Sequence, residues 1–177
     1  VPPAFWLAAR AAVEAITLEV IWLAEGVHAG FAEGRRNAGL PAWSDGELFQ
    51  AFDISYIYDI HPMWQLAVLG KIPVSRYLEM LRFQDAIYPA NYVKLRCVEN
   101  HDQARIQAVA RPPALAQAWT AFEAFNKGAF LIYAGQEAGA DAVGDGPEPQ
   151  VEARRLDLCL GDRLRRGEPP PRDPPAA

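Results

Sequence analysis

Apolar and polar positions alternate between two spacings along this chain. Residues 4–16, AFWLAARAAVEAI, set Phe5, Ala8, Ala9, Ala12, Val13 and Ile16 at helical spacing behind Pro2 and Pro3, which predicts a helix with proline near its first turn. Residues 18–25, LEVIWLAE, form a short run of β-formers closed by Gly26, the pattern of a strand buried on both faces. Residues 26–46 are broken by Gly26, Gly30, Gly34, Gly39 and Pro41 and predict a long loop. Near its end Ser44 and Glu47 have the spacing of a capping box, opening a short helix that reaches about Phe52. Residues 53–60, DISYIYDI, predict a second strand, followed by a loop with His61, Pro62 and Gly70. Residues 73–87 carry a stripe of Val74, Tyr77, Leu78, Leu81 and Ile87, with Ser75 as the expected cap. A third strand over 92–98, a helix over 114–128 closed by Gly128, and a fourth strand over 129–135 complete the pattern.

Strands thus alternate with helices, and the strand runs read as continuously apolar. That predicts an α/β fold with parallel strands covered by helices. In such folds the chemistry gathers at the C-terminal ends of the strands. Polar residues cluster at those ends: Glu25 after the first strand, Asp59 after the second, Asn100, His101 and Asp102 after the third, and Gln136 and Glu137 after the fourth. After about residue 140 proline, glycine and charge take over, so 1–140 is expected to be one domain and 141–177 a Pro/Gly/Arg-rich irregular tail.

Composition narrows the function. The 177 residues are 51% hydrophobic and 22% charged, ordinary for a globular domain with a real core. A net charge of −5 disfavours nucleic acid or an anionic membrane as the main partner. No apolar run approaches the roughly 20 residues of a membrane span, and no signal-peptide pattern is visible. Cys97 and Cys159 lie far apart without metal or redox spacing, and Cys97 is expected as a buried thiol.

Two carboxyl groups flanking a sugar bond are the usual requirement for glycoside hydrolysis. One must keep its proton near neutral pH, which apolar surroundings favour, and Glu25 behind Ile21, Trp22, Leu23 and Ala24 suits that role. His–Asp pairs and aromatic rings serve to hold sugar hydroxyls and faces. LRCVENHDQARI resembles the segment of the α-amylase superfamily (glycoside hydrolase family 13) in which a strand ends in Asn-His-Asp. VIWLAEGVH resembles that family's segment ending in the catalytic glutamate, FDISYIYDI its following strand, and GAFLIYAGQE its last strand. All four occur in the family's order, over about residues 1–140.

The resemblance implies a partial (β/α)8 TIM barrel, strands five to eight with their helices. It implies a hydrolase of α-glucosidic bonds with a retaining mechanism, Glu25 as general acid/base and Asp102 as the aspartate that stabilises the transition state. His101 and Asn100 are expected to bind the substrate, with Arg105, Tyr133 and Glu137 as supporting rim residues. No cofactor is expected; calcium is common in relatives, but no metal-ligand spacing stands out here. The family's nucleophile, an aspartate in a segment like Gly-Phe-Arg-x-Asp on the fourth strand, has no counterpart in this sequence. The expected partners are therefore an α-glucan or α-glucoside and the other half of the barrel, and the chain alone is expected to be inactive. A related α-glucan transferase, or a non-catalytic fragment binding glucan or a partner through the old cleft, are the alternatives. His28 and His61 read as loop residues and Asp59 as structural. Trp22, Trp64 and Tyr56 read as core, with Tyr58 and Tyr133 nearest the rim.

Overall fold

A computed structural model describes residues 3–142. The expected tail falls, from residue 143 onward, outside the described residues. Helix α1 (Pro3–Glu14) starts on a proline, as predicted. Its inward face is turned from the expected stripe, however. Phe5 is 54% exposed, while Trp6 packs edge-on against Phe52 with ring centroids 5.4 Å apart. Arg10 fixes that rotation by pairing with Asp53 at 2.9 Å and donating to the Ala51 carbonyl, while Glu14 at 2.7 Å steadies its side chain from within the helix.

Strands β1 (Leu23–Ala24), β2 (Ile54–Tyr56), β3 (Val93–Arg96) and β4 (Ala129–Phe130) form one parallel sheet in the order β1-β2-β3-β4. Parallel neighbours require crossovers, and helices supply all three. Helices α2 (Ala29–Asn37) and α3 (Asp45–Leu48) join β1 to β2. Helices α4 (His61–Val68) and α5 (Val74–Ile87) join β2 to β3, and α6 (Ile106–Val109) and α7 (Pro113–Ala124) join β3 to β4. This is the partial β/α barrel arrangement that the sequence predicts.

The segments 26–46 and 61–70, expected as loops, instead contain α2 and α4. His28 caps α2, its Nδ1 accepting from the Phe31 N–H, and Pro62 sits in the first turn of α4. The capping box of Ser44 and Glu47 is present on α3. Ser75 does not cap α5; the helix begins one residue earlier, behind Pro73. Helix α7 ends at Ala124 rather than at Gly128. Gly128 has φ +127°, and a Cβ there would lie 2.3 Å from the Lys94 carbonyl oxygen, so this close approach to β3 excludes side chains.

Register places Ala24, Ser55, Lys94, Arg96 and Phe130 on one face of the sheet. Leu23, Ile54, Tyr56, Val93, Leu95 and Ala129 occupy the other. The first face lies under the helices and is not continuously apolar, contrary to expectation. Lys94 and Arg96 are buried there with partners: Lys94 pairs with Asp45 and, at 3.2 Å, with Asp59, and Arg96 lies 3.8 Å from Glu123. Asp59 also accepts from Gln84 at 2.7 Å and Tyr88 at 2.6 Å, while Glu123 accepts from Tyr77 at 2.7 Å. Burial pushes the Asp59 and Glu123 carboxyls up and pulls the Lys94 ammonium down, to about 6. The apolar core lies around Ile57, Trp64, Tyr77, Ile106 and Trp119, between α4, α5, α6 and α7.

Candidate active site

Chain exits from β1 and β3 bring the predicted residues together. Glu25 follows β1 directly, and Asn100, His101 and Asp102 sit four to six residues beyond the end of β3. Ligand-capable atoms of Glu25, His101 and Asp102 all lie within 4.8 Å of one another, and His101 Nε2 stands 3.4 Å from Asp102 Oδ2. All three are exposed, and Glu25 and Asp102 line a groove of about 640 Å³ whose walls include Tyr58, His61, Gln65 and Gln103. Gly26, right after Glu25, lets the chain pass close to Asp45 and Ser55: a Cβ there would meet Asp45 Oδ1 at 2.8 Å.

Asn100 lies beneath this cluster rather than on its surface. It is 2% exposed; its Oδ1 accepts from the Asp102 N–H at 2.9 Å, a local turn that aims the aspartate. Its Nδ2 donates to the Tyr58 hydroxyl at 2.7 Å and approaches Cys97 Sγ. Burial raises the Tyr58 phenol to about 12 and the Cys97 thiol likewise to about 12, so both keep their protons at neutral pH. Cys97 is the buried thiol expected.

The remaining candidates stand apart from Glu25. Arg105 donates to Glu99 at 2.6 Å and to the Ala134 carbonyl at 2.9 Å, and its guanidinium lies 4.4 Å from the Tyr133 ring centroid. Glu99, fully buried, also accepts from the Ile106 N–H. Arg105 and Tyr133 thus tie the loop after β3 to the loop after β4. Glu137 accepts from the Gly135 N–H and lines a different cavity, beside α7. Asp59 is engaged with Lys94 beneath the rim, and His61 is buried at the start of α4. Sequence reading passed over Gln65 and Gln103. Among the described residues, the one group close enough to share a metal ion is Glu25, His101 and Asp102. Two carboxylates and an imidazole do not make the cage of about six to eight oxygens that calcium prefers.

A parallel sheet wrapped by helices, with a glutamate and a His-Asp pair converging at its C-terminal rim, defines part of a glycoside-hydrolase-like barrel. No family model matches the chain, and no curated protein does either. The solved structures that resemble it include two α-amylases. One is an α-amylase from Lactobacillus plantarum, 42% identical, TM-score 0.77, covering 80% of this chain and 34% of that one. Another is a noncanonic maltogenic α-amylase, AmyB, from Thermotoga neapolitana, 32% identical, TM-score 0.66, covering 89% of this chain and 35% of that one. The chain is thus related to the α-amylase superfamily over most of its length, and it spans about a third of the length of these structures.

Proposed function

We propose that this chain carries the acid/base part of a retaining glycoside hydrolase acting on α-glucosidic bonds. The observation behind the reading is the convergence of Glu25, His101 and Asp102 from two different strand ends. Glu25, open to the groove, protonates the glycosidic oxygen as the bond breaks. Asp102 and His101 hold the sugar hydroxyls, and the Asp102 charge stabilises the positive charge that develops on the ring.

The attacking carboxylate comes from outside the described residues. Asp53 sits at the opposite end of β2, bound to Arg10 and the Trp22 N–H. Asp59 is locked beneath the rim by Lys94, Gln84 and Tyr88. Neither of these aspartates is placed to attack, so we expect the chain as it stands to be inert. Incubation with starch or nitrophenyl α-glucoside should release no sugar, and release that disappears in Glu25→Gln would overturn this inertness. Joined to an α-amylase-type first barrel half bearing the nucleophile, the chain should turn over, and Glu25→Gln should then cost at least about a hundredfold in kcat. Undiminished turnover in that variant would sink the assignment.

A further inference from the structure

We propose that Gln103 is a sugar-binding residue, donating its side-chain amide to a hydroxyl of a pyranose seated beside Glu25 and Asp102, with His61 and Gln65 holding it in that orientation. The proposal rests on the reading of the groove as a glycoside site. Gln103 lines the groove next to Asp102, and its backbone N–H donates to the Asn100 carbonyl at 3.2 Å, so the same turn carries both residues. Its Oε1 lies 3.0 Å from His61 Nε2 and accepts from Gln65 Nε2 at 3.1 Å. An amide oxygen only accepts, so the imidazole carries its proton on Nε2. The acceptor side of Gln103 is then filled by two donors. Its amide nitrogen has no acceptor among the described residues, and the side chain borders the groove.

Support for that orientation is rigid. His61 is 5% exposed, stacks on Trp64 with ring centroids 5.0 Å apart, and meets the edge of Tyr58 at 5.9 Å. Burial holds its imidazole down, to about 4, so at neutral pH it has one N–H and gives it to Gln103. A donor fixed in this way costs little ordering when a ligand arrives. Phe31, Pro62 and Tyr58 line the same groove and offer apolar surface. Apolar surface beside a fixed donor suits the face and edge hydroxyls of a pyranose.

The test is an NMR titration of the 15N-labelled full chain with maltotriose. The Gln103 side-chain amide signals should shift. Gln103→Glu keeps an acceptor for His61 and Gln65 but has no N–H to give; Gln103→Met has neither. Both should weaken maltotriose binding about three- to tenfold, with the backbone spectrum otherwise retained. Wild-type binding in Gln103→Glu, or no shift of the Gln103 amide in the unmodified chain, overturns the proposal. Binding kept in Gln103→Glu but lost in Gln103→Met shows only a structural role and also overturns it. Asp102→Asn run alongside separates the two readings. Loss there without loss in Gln103→Glu removes Gln103 and leaves the glycoside site standing. Loss in Gln103→Glu without loss in Asp102→Asn keeps the Gln103 contact and removes the catalytic reading.

Discussion

Where Glu25 can reach is set by the residue after it. At Gly26 a Cβ would come within 2.8 Å of Asp45 Oδ1, 3.1 Å of Leu48 Cδ1 and 3.3 Å of Ser55 Oγ. Asp45 and Ser55 cannot give way freely, since Asp45 pairs with buried Lys94 and accepts from the Ser55 hydroxyl at 2.9 Å. Gly26→Ala should therefore cost about 1–3 kcal/mol in a urea melt and displace the exit of β1. An unchanged midpoint would show that the close passage is dispensable. Legibility was uneven at this scale. Glu25, His101 and Asp102 could be placed near the rim because each follows a strand run, and the family resemblance singled them out as a set. Asn100 belongs to the same motif, yet its side chain turns inward to serve Asp102 and Tyr58. Gln103 and Gln65 gave no local signal, for their contact spans 38 residues of sequence and glutamine in a polar turn is unremarkable.

Among the elements, the strands and the long helices were legible from periodicity, and α2 and α4 were not. Gly30 and Gly34 lie inside α2 and lower its helical propensity, so packing and the His28 cap must hold it. Helix α4 did carry a start signal, Pro62 in its first turn, hidden in what looked like a loop cluster. Strand runs were read too long because apolar residues continue past the ladder: Ile57–Asp59 is a 3₁₀ turn, not strand. On α5 the expected stripe was right at Tyr77 and Leu81, but Val74, Leu78 and Ile87 are exposed and the polar Gln84 is buried instead. Helix α4 also makes a pH prediction. His61, with its folded-state pKa lowered to about 4, stays neutral when an unfolded histidine would take a proton below about 6.5. The unfolded chain then binds more protons, so stability falls as pH drops from about 6.5 to 4, by about 3 kcal/mol in total. Urea melts across that range should show the decline, and His61→Gln should flatten it; an equally steep decline in the variant would assign it elsewhere.

For the molecule as a whole, the sheet has one covered face and one open one. Leu23 on the open face is 45% exposed, and beyond the strand ends Ile21 and Ile132 are 75% and 65% exposed. The outer edges of β1 and β4 have no strand partner among the described residues. Apolar surface of this kind marks an interaction face. The 177 residues alone should bind the dye ANS and self-associate in light scattering, and both signals should fall when a first barrel half is supplied. A dye-silent monomer would show that the open face is covered by other means.

The charges beneath the helices bear on how the strands find their alignment. Sliding β3 by two residues along β2 would return apolar side chains to the open face, so hydrophobicity alone does not distinguish the two alignments. The slide would, however, bring Arg96 to the place of Lys94, opposite Asp45 and Asp59, and carry it away from Glu123. Stranding a buried charge in this way costs about 3–5 kcal/mol. The polar layer thus acts as a key that one alignment fits, proofreading the sheet where its greasy side is indifferent.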